Sequence, residues 1–151
     1  LKIDFKLNVD MEKPEKVVKA YRRALYKSMV KMKELAIRRC HVDLGALRSS
    51  IKLEPNTTDA DVYTLSDGVP YGVSMEYGSS PHWVPVLPLI EWAKRHGGDE
   101  GFGYAIQNKI AKLGTNAYPF FRPALYEVQE YWAPYYFADA SLSSKIGERN
   151  E

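Results

Sequence analysis

The chain has 151 residues, 45% apolar and 26% charged, with a net charge of +2, enough for a domain with a real core and ordinary for a globular protein. No run approaches the roughly 18–20 apolar residues that span a bilayer, so no membrane partner is expected, and a single cysteine, Cys40, excludes an internal disulfide framework and fits a reducing compartment. The charge is lopsided: residues 1–40 carry 12 Lys/Arg against 5 Asp/Glu and the rest 9 against 14, a division that suits head-to-tail contact between copies, DNA or an acidic partner.

The opening, LKIDFKLNVD, lacks the apolar core of a secretory leader, which argues against export by that route. Ile3, Phe5, Leu7 and Val9 alternate with polar residues, the period of a half-buried strand over 2–9. Asp10, the acids that follow and Pro14 are helix-start signals. The longest predicted element runs from Pro14 to Arg39, roughly 39 Å at the helical rise. Val17, Tyr21, Leu25, Met32, Leu35 and Ala36 share its apolar face. Lys16, Lys19, Arg23, Lys27 and Arg38 take the opposite face, interrupted by a second apolar stripe of Tyr26, Val30 and Ile37. That stripe is either tolerated exposure on a long helix or a docking face for a partner subunit.

Asp43 is placed to cap a short turn through Leu47, and Ser49–Leu53 reads as strand, ended by Pro55. VYTLSDG gives a second strand and turn; VPYGVSMEYGS gives a short helix with Pro70 just inside and Gly78 just past it. After a proline-rich loop, Pro88 opens a helix closed by Gly97, GGDEGFG reads as a flexible loop, and a short helix stops at Gly114. TNAYPFF is expected extended. Arg122–Pro123 begins a last helix with Leu125, Val128 and Trp132 on one face, interrupted by Pro134 and followed by an aromatic, then polar, frayed tail.

Catalytic and metal chemistry find little support. His41, His82 and His96 belong to no HExxH, CxxC or tight His/Asp cluster. His96 at a helix C-terminus is more simply a cation near the dipole. Cys40 beside His41 lacks a third residue to orient a base, and a structural cysteine is the simpler reading. GGDEGFG follows a helix and has neither the P-loop lysine nor dinucleotide spacing. No catalytic residue, metal or cofactor is expected. Duplex binding through the basic helix is the alternative, without a zinc finger, RNA-recognition motif or helix-turn-helix signature to support it.

Three ordered segments carry a resemblance. VDLGALRSSI (42–51) is similar to a V-D-T-G-x-L-R-x-S-I signature, VPYGVSMEYGS (69–79) to V-P-Y-A-x-x-x-E-F-G-T, and GTNAYPFFRPAL (114–125) to G-T-x-x-x-P-F-L-R-P-A-L. Together, after a basic helix, they resemble the tail-completion, neck or head–tail joining proteins of tailed double-stranded-DNA phages, over roughly residues 14–132. Asp43, Gly45, Leu47, Arg48 and Ser50 match the first motif, with Leu44 in place of threonine. Tyr71, Glu76 and Gly78 match the second, and Pro119, Phe120, Arg122, Pro123, Ala124 and Leu125 the third. The resemblance implies an α+β fold: one long N-terminal helix packed on a small antiparallel sheet, with several short helices. It implies one domain over 1–133 with a tail at 134–151, and a non-catalytic virion protein of the head–tail junction. Such a protein is made in the host cytoplasm and assembles as a ring of copies against head-connector or tail-tube proteins, with DNA contact in the channel.

For the interface itself, candidates are Lys19, Arg23, Tyr26, Lys27, Val30 and Ile37 on the long helix, Phe121, and Tyr135, Tyr136 and Phe137, since aromatic residues concentrate at interface centres. Phe120 and Phe121 are expected on opposite sides of an extended segment, one in the core and one toward a neighbour, unless both are core. The C-terminal aromatics equally suit the domain's own core.

Overall fold

Charged and apolar residues alternate from Lys2 to Lys6, and in the computed structural model they form the edge strand β1 of a three-stranded antiparallel sheet. The structure describes residues 1–8, 14–57, 59 and 61–148, with side chains through 143. Val9, the start signal at Asp10 and the polar end beyond 148 lie outside the described residues. The other strands are β2 (Lys52–Pro55) and β3 (Val62–Ser66), in the order β1-β3-β2. Ile3, Leu65 and Leu53 form one cross-strand row; Phe5, Tyr63 and Pro55 form the next such row, two residues along. The intervening rows are polar, Lys2–Ser66–Lys52 and Asp4–Thr64–Glu54. A period of two therefore fixes the register, because a one-residue slip would turn the apolar rows to the other face. Pro55 ends an edge strand, where a missing N–H breaks no ladder.

The chain divides into two compact units, Leu1–Gly72 with Pro119–Glu151, and Val73–Tyr118. In the first, helix α1 (Glu15–Arg39) packs against β2 and β3 and also against the C-terminal helices. This gives the α+β architecture expected. Leu25, Met32, Leu35 and Ala36 are buried as their spacing requires. Val17 and Tyr21 are only half-buried, and Val18, Ala24, Ser28 and Met29 are buried in addition. Two sets of neighbours cover α1, so its buried arc is wider than one amphipathic stripe.

Ser49 and Ser50 belong to helix α2 (Ala46–Ser50), where a strand was expected. Their hydroxyls donate back to the carbonyls of Ala46 and Leu47, at 3.1 and 2.9 Å, and so complete the helix's own last turn. Gly45, at φ +81°, takes the cap position, where Asp43 was expected.

The C-terminal segment departs most from expectation. Helix α6 (Phe121–Glu127) passes into a π-helical turn (Val128–Trp132) and then helix α7 (Ala133–Glu148), so Pro134 does not end the helix. The Ala133 N–H reaches back five residues to the Val128 carbonyl. That wider turn lets the chain pass a proline that lacks a donor and would crowd the preceding turn. Helix α7 packs along α1, with the Phe137 ring stacked on Tyr21 at 5.8 Å. Phe120 and Phe121 are both 0% exposed, with rings 4.6 Å apart. Phe121 is therefore core, and its place among the interface candidates is withdrawn.

In the second unit, helix α3 (Gly72–Tyr77) begins one residue before the boundary, and helix α4 (Val86–Arg95) packs on helix α5 (Glu100–Leu113). Pro70 lies in the turn before α3, while Gly78 follows it as expected. Helix α4 starts at Val86, so Pro88 lies within its first turn, where no backbone donor is needed. Of the segment read as a flexible loop, Gly97 and Gly98 form the turn after α4, and Glu100 onward is the start of α5. The Asp99 carboxylate accepts from the Phe102 N–H at 2.9 Å, and this cap sets the helix running through two glycines.

Candidate interaction surface

The Tyr26–Val30 stripe of α1 stands open between its two sets of neighbours. Tyr26 is 51% and Val30 42% exposed. On the sheet side, they share a groove of about 530 Å³ with Lys33, Leu53, Pro55 and Tyr63. Tyr26 and Tyr63 hold their rings 5.7 Å apart there. On the α7 side, the same two residues share a groove of about 360 Å³ with Lys27, Lys31, Glu34 and Tyr136. The floor is aromatic and aliphatic; the rim is mostly lysine.

The rim is built from cation–ring contacts. Lys31 Nζ lies 4.3 Å from the Trp132 ring centroid, and Lys27 Nζ 5.8 Å from that of Tyr136. Trp132 and Tyr136 stack at 6.1 Å, and the Trp132 indole donates to Glu127 Oε1 at 3.1 Å. Glu127 also receives Arg39 from the end of α1. Hydrogen bonds from Arg39, then Trp132, hold the Glu127 carboxyl below its ordinary range.

The remaining interface candidates divide. Tyr135 is exposed, Tyr136 lines a groove, and Phe137 and Ile37 are half-buried. Lys19, Arg23 and Lys27 are exposed. Lys19 pairs with Glu15 at 2.6 Å and Lys27 with Asp139 at 3.7 Å, while Arg38 pairs with Glu34 at 3.6 Å. Much of the basic face is thus already matched by acids.

The motif residues fall into surface and buried positions. Asp43 and Arg48 are exposed, Leu47 is buried, Gly45 heads α2, and Arg48 Nε donates weakly to the Ile37 carbonyl at 3.4 Å. Tyr71 is exposed and Glu76 fully buried. Pro119 is exposed, Phe120 buried, and Arg122 and Pro123 half-buried at the start of α6. The second and third motifs meet in the second unit. Ser79 and Thr115 exchange both backbone hydrogen bonds at 3.1 Å, with their hydroxyls 2.9 Å apart. Gly78 (φ +75°) and Gly114 (φ +72°) precede the two partners; a Cβ on Gly78 would collide with the Thr115 carbonyl and one on Gly114 with the Ser79 carbonyl. The Tyr118 N–H donates to the Met75 carbonyl at 2.7 Å. The unit is therefore clasped where the chain enters and leaves it.

Cys40, His82 and His96 each make local contacts. Cys40 is buried with its thiol on the Ile37 carbonyl at 3.2 Å. His82 Nδ1 lies 2.9 Å from the Ser80 carbonyl and 3.3 Å from Ser79 Oγ. His96 caps α4 with Nδ1 2.9 Å from the Trp92 carbonyl and its ring stacked 4.2 Å from that of Trp92. Among the described residues, no three His, Cys, Asp or Glu gather as a metal-ligand set. Sequence reading found the Tyr26–Val30 stripe but missed Lys31, Lys33, Leu53 and Tyr63, which only tertiary folding brings to it. Comparison with protein-family models, curated proteins and solved structures finds no match.

Proposed function

We propose that the chain is a structural, non-catalytic subunit of a tailed-phage virion, acting at the head–tail junction and assembling with copies of itself and with connector or tail-tube neighbours. The phage reading rests on three ordered motifs. The observation that carries its interaction role is the paired groove around Tyr26 and Val30. An exposed aromatic floor with a lysine rim has the composition of a protein-binding surface. Duplex binding through α1 has less support, because Lys19, Lys27 and Arg38 already face Glu15, Asp139 and Glu34, and counterion release needs cations free to meet phosphates.

Gold labelling or cryo-electron microscopy of particles induced from the source phage or prophage tests this reading. Label or density at the neck is expected. Intact infectious particles without the protein would overturn it, and salt-sensitive retardation of duplex DNA would then favour the alternative.

A further inference from the structure

The second unit presents an exposed edge of its own. Trp83 and Leu87 are each 70% exposed, and Glu91 is exposed one helical turn beyond Leu87 on α4. The loop carrying Trp83 is anchored on both sides. The His82 N–H donates to the Ile110 carbonyl at 3.3 Å, and Gln107 Nε2 donates to the Val84 carbonyl at 2.7 Å. Pro81 and Pro85 stiffen the flanks. An exposed indole on a fixed backbone loses little freedom on docking, and tryptophan is prominent among residues that anchor interfaces.

The α1 groove has the complementary character. Its sheet side offers Tyr26, Val30, Leu53 and Tyr63 as an apolar floor, with Lys33 on the rim. Helix α1 carries nine cations against two acids. Lys27 and Lys31 already face Asp139 and Glu34, whereas Lys33 has no ion pair among the described residues. An occupant with aromatic and aliphatic residues followed by a carboxylate matches this floor and rim, and the Trp83–Leu87–Glu91 edge has that order.

We infer that the Trp83–Leu87–Glu91 edge of one copy docks in the Tyr26–Val30 groove of a second copy, with Trp83 on the Tyr26–Tyr63 floor and Glu91 toward Lys33. This rests on the reading that the chain assembles with copies of itself. The two patches are unlike, so the contact is head-to-tail, the kind that generates closed rings or open filaments.

The test uses the full chain as two single variants, Val30→Cys and Leu87→Cys, mixed and treated with a short bismaleimide; Cys40 is buried. A mixed dimer is expected, with little dimer from either variant alone. By sedimentation velocity, Lys33→Glu should weaken self-association about tenfold, with recovery in the Lys33→Glu/Glu91→Lys double variant. A dimer from Val30→Cys alone would mean a two-fold contact and would overturn the inference. Wild-type self-association without the mixed cross-link or recovery would overturn this contact and leave assembly standing. A wild-type chain that stays monomeric at every concentration reached would remove both contact and unaided self-assembly, while labelling of particles decides virion location separately.

Discussion

Asp61 receives the Arg22 guanidinium through both carboxylate oxygens, at 2.6 Å from Nε and 3.2 Å from Nη2. The pair joins the first half of α1 to the turn before β3 across 39 residues of sequence. Its hydrogen bond to Asp61 raises the Arg22 pKa further above its ordinary value. A lysine supplies the charge but not the planar fork. Arg22→Lys should lower the thermal midpoint by a few degrees, and adding Asp61→Asn should cost little more. Equal, additive losses would show that the two side chains act separately.

Phe121 predicts a larger effect. Its ring is fully buried against Phe120, and truncating a buried phenylalanine costs about 3–5 kcal/mol. Phe121→Ala should shift the urea midpoint accordingly, whereas Tyr135→Ala, at an exposed position, should shift it by less than about 0.5 kcal/mol.

Glu127 predicts a dependence on pH. Its folded pKa is depressed by Arg39 and Trp132. Its stabilising contribution is therefore present above the ordinary carboxylate value and is lost as pH falls through the depressed one. Glu127→Gln should flatten the acid side of the stability profile, most visibly between those two values. An unchanged slope in denaturant titrations from pH 6 to pH 3 would refute the linkage.

Gly114 predicts a local lesion. Alanine there meets both a backbone angle that disfavours side chains and the Ser79 carbonyl. A cost of roughly 1–3 kcal/mol is expected from the backbone strain alone. Hydrogen exchange should rise at Ser79, Thr115 and Tyr118 and stay unchanged in β3. Uniform acceleration across the chain would show that the clasp is not a local device.

The long helix and the strands β1 and β3 were legible because their signals are local: a period of two, a period near 3.6, and prolines at the margins, whereas β2 begins three residues later than its expected start. The stripe of Tyr26 and Val30 was legible for the same reason. What failed depended on competition among local signals. Asp99 outweighed the glycines that follow it, the serine hydroxyls kept Ser49 and Ser50 helical, and a π turn carried the chain past Pro134. The lysine rim was not legible, because Lys31 finds Trp132, and Lys33 lies beside Leu53 and Tyr63, only through packing across the sequence.

The clasp at Ser79 and Thr115 also sets how the molecule bears load. The chain enters and leaves residues 73–118 past two hydrogen-bonded contacts, Met75 with Tyr118 and Ser79 with Thr115. A pull on the two ends of that unit would open Met75–Tyr118 and then Ser79–Thr115 in turn, and the packing of α4 on α5 bears none of it until both have parted. In a subunit strained end to end, the first unit, to which both chain ends belong, takes the load before the inserted segment does.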